Sequence, residues 1–147
     1  MTRTVVIGLG NDYRGDDGAG LAVARLLRDL GPDMSGAAIE NGGDPAELIE
    51  AWTGADVAIV IDAARSGDPP GIVRRFRGTP CLAHGGSSTH ALSLADAVEL
   101  ARSLDRMPGE LIVYTVEGAD FALGAGLSEA VSSAAWNIAR TILRDAR

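Results

Sequence analysis

The length, composition and charge of the chain limit both its fold and its partners. Its 147 residues suffice for one domain with a substantial core, and 46% hydrophobic residues with 19 glycines favour a compact α/β protein over a disordered chain. A net charge of −7 argues against nucleic acid or an anionic membrane as partner, because both bind basic surfaces.

The first predicted elements are a strand, a glycine-rich turn and a helix. Residues 5–7 form a short apolar run, typical of a parallel strand that is buried on both faces. Apolar residues at helical spacing predict a helix beyond the turn: Val23, Leu26, Leu27 and Leu30. Asp16 and Asp17 lie where the turn becomes the helix. We expect one of them to cap the helix and the second to have another role.

The turn does not match a nucleotide-binding motif. Tyr13 stands where G-x-G-x-x-G requires a third glycine after Gly8 and Gly10. Three aspartates between positions 12 and 17 would repel a pyrophosphate at the helix N-terminus. The chain contains no lysine, so it has no P-loop.

Strands and helices continue to alternate along the chain. A strand over 37–40 precedes a helix that begins after Asp44, its predicted cap, and ends near Trp52. The apolar run 57–61 predicts a central parallel strand that ends on Asp62. Residues 72–77 alternate between apolar residues and arginines, which is typical of a strand near the sheet edge.

The second half repeats this alternation after a long loop over 78–89, which is rich in Gly, Ser and Thr. His90 opens a helix whose predicted apolar face comprises Leu94, Ala97, Val98 and Ala101. A buried strand over 111–116 follows, and Ser128 then caps the last helix. The pattern predicts a three-layer α/β/α sandwich with a mostly parallel sheet, formed by a single domain over 1–147.

Three polar residues lie at the ends of predicted strands or at the start of a predicted helix, where packing of the core does not require them. In a sheet of order 2-1-3, the carboxyl ends of strands one and three diverge and leave a crevice between them. Asp17 and Asp62 would face each other across this crevice, and the long loop could bring His90 to it. Two carboxylates and an imidazole are a metal-ligand set that leaves open positions for water or substrate.

Each of these residues also has a structural explanation. Asp62 could cap a turn, and His90 could bond a carbonyl group at the helix start. His84 is a rival ligand, although no regular element holds it in place. A Ser-His-Asp hydrolase is not indicated, because Ser87 and Ser88 lack the G-x-S-x-G elbow.

The opening motif resembles the N-terminal signature of the nickel–iron hydrogenase maturation endopeptidases. Over 8–20 it reads G-L-G-N-D-Y-R-G-D-D-G-A-G, with Gly-Asn and Asp-Asp-Gly as its core. Further motifs follow in the same sequence and with similar spacing over nearly the whole chain: Gly42-Gly43, V-I-D-A, S-T-H, V-E-G and G-L-S-E-A-V. Asn41 departs from the pattern, because many members have Asp before the two glycines.

The resemblance implies a specific activity and a specific fold. The enzyme would remove a C-terminal extension from the precursor of a nickel–iron hydrogenase large subunit after nickel insertion. The family's metal-binding residues correspond to Asp17, Asp62 and His90 here, which would carry the catalytic function, and the precursor would supply the nickel. The implied sheet has five strands, of which the fourth is antiparallel, between two layers of helices.

The mechanism stays open at the level of the sequence. The three residues could bind nickel already held by the precursor, or they could hold a metal of the enzyme's own whose bound water attacks the peptide. A metal-free pair of Asp17 and Asp62 would resemble an aspartic dyad but would leave His90 without a role. The alternative function, which is not enzymatic, is that of a nickel-sensing chaperone that binds the precursor without cutting it.

Location and assembly are also predicted. The chain runs directly into its first strand without room for a signal peptide, and no apolar run reaches the length of a membrane span. The single cysteine, Cys81, excludes an internal disulfide. We therefore expect a cytoplasmic protein without membrane insertion, and we expect a monomer.

Overall fold

The described part of the chain contains five strands and four helices. The computed structural model describes residues 3–31, 37–78 and 91–145, without the side chains of 91–93. In chain order the elements are β1 (Thr4–Leu9), α1 (Ala19–Leu30), β2 (Ala38–Asn41), α2 (Pro45–Trp52), β3 (Val57–Ala64), β4 (Val73–Arg77), α3 (Ala91–Ser103), β5 (Glu110–Glu117) and α4 (Glu129–Asp145). A 3₁₀ turn, Gly15–Gly18, joins β1 to α1 and is called the acidic turn below.

The strands form one mixed sheet with the order β2-β1-β3-β5-β4. β1 pairs in parallel with β2 and β3, and β3 pairs in parallel with β5. β4 runs antiparallel to β5 along the outer edge. The predicted fold class, the order 2-1-3 and the antiparallel fourth strand at the edge are thereby confirmed.

Helices cover both faces of the sheet. One buried apolar cluster combines side chains of α1 and α4 with one face of the strands. The second cluster combines α2 and α3 with the other face, and it includes the four residues predicted for the apolar face of α3. Because both faces are covered, the central strands are apolar on both sides, which explains the continuous apolar runs in the sequence.

Helix α1 lies unusually close to the sheet, and two glycines permit this approach. A Cβ atom on Gly20 would lie 2.3 Å from the carbonyl oxygen of Leu9 and 2.4 Å from that of Ile61. A Cβ atom on Gly8 would lie 2.1 Å from the carbonyl oxygen of Gly20. Gly20 therefore provides the close contact between helix and strand that Tyr13 cannot provide.

Strand β3 is longer than its apolar run predicts. It continues to Ala64, because β5 still pairs with it beyond the last residue that pairs with β1. Asp62 is opposite Thr115 in this extension, so it lies within the strand and does not end it. The prediction that β3 ends on Asp62 is wrong for that reason. β2 also begins and ends one residue later than predicted.

The predicted capping residue is observed at two of three helix starts, those of α2 and α4. The Asp44 side chain accepts a hydrogen bond from the Ala46 amide at the start of α2. The Ser128 hydroxyl accepts one from Val131 at the start of α4. At α1 the capping position is occupied by Gly18, so the prediction that one of the paired aspartates occupies it is wrong.

Several predicted features lie outside the described residues. They are His90, the loop from residue 79 onward with His84, Ser87 and Ser88, and Cys81. Helix α3 begins at Ala91, directly after His90. Among the described helices, none combines the length and the apolar character that a membrane span requires.

Candidate functional site

The carboxyl ends of β1 and β3 place Asp17 and Asp62 at the same edge of the sheet. The two strands remain paired up to Gly8 and Ile61, so Asp62 is the first residue of β3 beyond that pairing. The acidic turn, which contains Asp17, contacts β3. This edge is the point at which the chain crosses over to opposite faces of the sheet, where open α/β proteins form their crevice.

Asp17 is held through its backbone inside the acidic turn. Its amide donates to the carbonyl group of Arg14 over 3.0 Å, and its carbonyl group accepts from the Asn11 amide over 3.3 Å. The residue is 7% exposed. These contacts tie the main chain of Asp17 to the residues directly after β1.

Asp62 is completely buried, at 0% exposure. Its Oδ1 accepts a hydrogen bond from the Ala63 amide over 2.8 Å. Side chains alternate along a strand, so Asp62 lies on the same face as Ala58 and Val60, which belong to the cluster covered by α2 and α3. His90 directly precedes α3, so the chain enters this layer of helices next to the residue predicted as the third ligand.

Asp16, the other member of the acidic pair, bonds to a distant segment of the chain. Its Oδ2 accepts from the amides of Ala119 and Asp120 over 2.7 and 3.0 Å, and its Oδ1 accepts from the Ser128 amide over 2.7 Å. Burial alone raises the pKa of a carboxyl group, but the three amides and the Ser128 hydroxyl outweigh it. The pKa of Asp16 therefore lies below its ordinary value of 3.8.

Two more buried polar residues shape the loops at this edge. The Asn41 side chain accepts from the Gly43 amide over 2.7 Å, and its carbonyl group accepts from Gly10 over 3.1 Å. The Glu117 carboxylate accepts from the amide and hydroxyl groups of Ser66 and from the Gly67 amide. Asn41 thus keeps the turn after β2 next to the end of β1 without a negative charge.

Ion pairs join the loop after β1 to β2. Arg25 on α1 contacts Asp12 at 2.6 Å and Glu40 at 2.7 Å, and Arg28 also pairs with Glu40. The hydrogen bond from Arg25 lowers the pKa of Glu40 below 4.5. Partial burial opposes this effect, and Arg28 adds to it. These side chains are partly exposed, so the network contributes modestly to stability.

The predicted ligand set is only partly within the described residues. Among them, no three His, Cys, Asp or Glu side chains come close enough together to hold a metal ion. Both histidines and the cysteine lie outside them, so the position of His90 relative to Asp17 and Asp62 stays a prediction. Chemically, two carboxylate oxygens and one imidazole nitrogen suit a divalent ion such as nickel.

Comparison with known proteins assigns the chain to a family. The sequence model of HycI, described as a hydrogenase maturation protease, matches residues 22–145. The chain belongs to the hydrogenase maturation protease family. The family is the one that the sequence motifs resemble, and the chain is accordingly an enzyme of the peptidase class. A comparison with curated proteins finds no significant match.

Solved structures of maturation proteases share the fold. The [NiFe] hydrogenase maturation protease HybD from Thermococcus kodakarensis is 26% identical, with a TM-score of 0.83 over 99% of this chain and 100% of that one. The hydrogenase maturating endopeptidase HybD from E. coli is 23% identical, with a TM-score of 0.80 over 98% and 91%. The hydrogenase 2 maturation peptidase from a Thaumarchaeota archaeon is also 23% identical, with a TM-score of 0.68 over 98% and 97%.

The sequence did not reveal the roles of Asp16 and Glu117. Both carboxylates accept hydrogen bonds from backbone amides that are 50 to 112 residues away. Any residue except proline can supply a backbone amide, so no residue type in the sequence marks the partner. Asp16 and Glu117 both lie in motifs of the sequence, but the motifs do not indicate these bonds.

Proposed function

We propose that this protease removes the C-terminal extension of the large-subunit precursor of a nickel–iron hydrogenase after nickel insertion. Asp17, Asp62 and His90 recognise the nickel that the precursor holds. The observation that supports this most is the position of the Asp62 carboxylate, directly beyond the β1 pairing and at the end of the sheet where the acidic turn contacts β3. Family membership supports the activity.

The role of the three residues is to bind and orient the client. Asp17 and Asp62 offer negatively charged oxygens, and His90 offers a nitrogen, to an ion whose other ligands belong to the precursor. Nickel supplies a fixed positive charge and a defined set of coordination directions. An ion shared between enzyme and client places the client's chain in one orientation, which lowers the entropy cost of bringing the scissile bond to the enzyme.

The first experiment separates a protease from a chaperone. Purified protein is incubated with nickel-loaded precursor, and the precursor mass is measured. We expect a loss equal to the C-terminal extension and no change elsewhere in the client. A stable complex with the precursor at its full mass would instead support a nickel-sensing chaperone.

A control variant shows that cleavage depends on the proposed site. Asp62→Asn keeps the size of the side chain and an oxygen for the Ala63 amide but removes the charge. We expect this variant to leave the precursor at full mass under the same conditions. Cleavage by the variant at the wild-type rate would rule out nickel recognition through Asp62.

A further inference from the structure

Asp16 accepts several hydrogen bonds in the structure, but it has no role in the proposed recognition of nickel. We propose that Asp16 is a positioning residue: it fastens the acidic turn to the segment 118–128 and so holds Asp17 in place for the client's nickel. The inference rests on the proposed function of Asp17. It adds a residue that acts through Asp17 without touching the client.

The contacts of Asp16 connect two segments that are more than 100 residues apart in the sequence. Its two carboxylate oxygens accept from three amides, at both ends of the segment 118–128. Its own amide donates to the carbonyl group of Asp120 over 2.8 Å. Asp16 thus makes four hydrogen bonds to the backbone of one segment, in addition to the bond from the Ser128 hydroxyl, and it is fully buried.

The backbone on either side of Asp16 is matched to the same segment. The Gly124 amide donates to the carbonyl group of Tyr13 over 2.9 Å. Gly15 has a φ of +54°, and a Cβ atom there would lie 2.3 Å from the carbonyl oxygen of Asp120. The chain from Tyr13 to Asp16 therefore fits closely against the segment 118–128.

The chemistry of this junction requires a carboxylate. Three N–H donors converge on the two oxygens of Asp16, and an ionised carboxylate has only acceptors. An asparagine would direct its NH₂ group at one or two of these donors. Asp16→Asn therefore removes the match between donors and acceptors while the side chain keeps nearly the same size.

The effect reaches Asp17 because the two residues are adjacent in a single 3₁₀ turn. The described backbone bonds of Asp17 join it to Arg14 and Asn11, which belong to the same loop. Asp16 makes most of the described hydrogen bonds between this loop and the segment 118–128, and the Tyr13 carbonyl group makes one more. When that fastening is lost, we expect the turn to take several positions and Asp17 to meet the nickel in only some of them.

The test compares Asp16→Asn with Asp17→Asn and with a control that is destabilised far from the site. Trp52→Phe is that control: it removes the bond from the buried indole to the Arg106 carbonyl group, at the edge where β1 and β3 begin. Amide exchange of 13–18 and 118–128 is measured together with kcat/KM on nickel-loaded precursor. The temperature is kept well below each variant's Tm.

We expect Asp16→Asn to speed amide exchange in both segments and to lower kcat/KM by about 10- to 100-fold, the usual effect of removing a residue that orients a metal ligand. Trp52→Phe should remain within twofold of wild type in kcat/KM. Unchanged exchange in Asp16→Asn, or faster exchange with wild-type kcat/KM, would overturn the inference. If Asp16→Asn does not fold, Ser128→Ala removes the hydroxyl bond to Asp16, together with the capping bond from the Val131 amide, and should cause smaller changes in both measurements.

The result also separates this inference from the proposed function. If wild-type protein leaves the nickel-loaded precursor uncut, or if Asp17→Asn cuts it normally, the proposed function fails. Amide exchange in Asp16→Asn still decides whether Asp16 holds the turn. Faster exchange would then support the claim that Asp16 holds the turn against the segment 118–128, and unchanged exchange would overturn that claim.

Discussion

At the scale of single residues, buried carboxylates are concentrated at the carboxyl edge of the sheet. Burial of a charged group is costly unless hydrogen bonds or opposite charges compensate for it. Among the described side chains, no buried polar atom lacks a hydrogen-bond partner. Asp16 and Glu117 obtain theirs from loop amides, so these two carboxylates determine the shape of the loops around the proposed site.

The charges of Asp17 and Asp62 can be tested without changing the shape of the side chains. We expect Asp17→Asn and Asp62→Asn each to lower cleavage of nickel-loaded precursor by at least about 10-fold, because a neutral amide is a weaker nickel ligand. The free energy of unfolding should change by less than about 1.5 kcal/mol, because Asn keeps an acceptor oxygen. Cleavage assays and thermal unfolding measure the two effects. Wild-type activity in either variant would contradict the assignment.

The choice between the two histidines is a second prediction at this scale. His90→Ala should abolish cleavage of the nickel-loaded precursor, whereas His84→Ala should have a mild effect. The reason is that His90 directly precedes α3, whereas no regular element was predicted to hold His84. The same cleavage assay measures both variants. An inactive His84→Ala together with an active His90→Ala would assign the third ligand to His84.

Glu40 gives a prediction for the pH dependence of stability. Its folded-state pKa lies below 4.5, so its contribution is present above that pH and is lost as the pH falls through the folded pKa. Glu40→Gln should lower the free energy of unfolding by about 0.2 to 1 kcal/mol at pH 7, because the ion pairs are partly exposed. Denaturant unfolding of both proteins should show this difference shrinking below pH 4.5. A difference that stays constant down to pH 3 would contradict this explanation.

At the scale of elements, the contact between α1 and the sheet depends on Gly20. Alanine favours a helix by about 1 kcal/mol over glycine, but its Cβ would lie within 2.4 Å of two carbonyl oxygens. The steric effect should dominate, so we expect Gly20→Ala to cost about 3 kcal/mol or more. Gly126→Ala is the control, because no atom lies within 4 Å of its added Cβ. Denaturant unfolding that gives equal stability for both variants would disprove the close contact.

The elements were predictable from sequence to the extent that their signals are local. Apolar runs and caps gave the strands, their alternation with helices and the starts of α2 and α4, because these depend on neighbouring residues. The length of β3 depends on its pairing with β5, which no local pattern specifies. Asp17 and Asp62 could be proposed as site residues from topology, but the role of Asp16 depends on amides that lie over 100 residues away.

At the scale of the whole molecule, the sheet order places the proposed site where the chain reverses its winding direction. The helix that follows β1, α1, covers one face, and the next helix after β3, α3, covers the other face. Loops from separate parts of the sequence meet there, and the buried carboxylates hold them. The monomeric state and the cytoplasmic location stay predictions.

The central claim is that the client's nickel is the recognition element. Three ligands with open positions should hold a free ion weakly, whereas an ion already bound by the client adds to the contacts between the two proteins. The protein should therefore act on precursor that carries nickel and act poorly on the same precursor without it. Zinc supplied to the enzyme alone should not replace the nickel of the client.

The most direct measurement is the rate of C-terminal mass loss from one precursor preparation, divided into nickel-loaded and nickel-free halves. Zinc is added to the enzyme in a parallel pair of reactions. We expect cleavage of the nickel-loaded half and at least about a 10-fold slower reaction of the nickel-free half, with or without zinc on the enzyme. Equal cleavage of both halves would contradict nickel recognition, and cleavage of the nickel-free half only after zinc loading would instead indicate a resident catalytic metal.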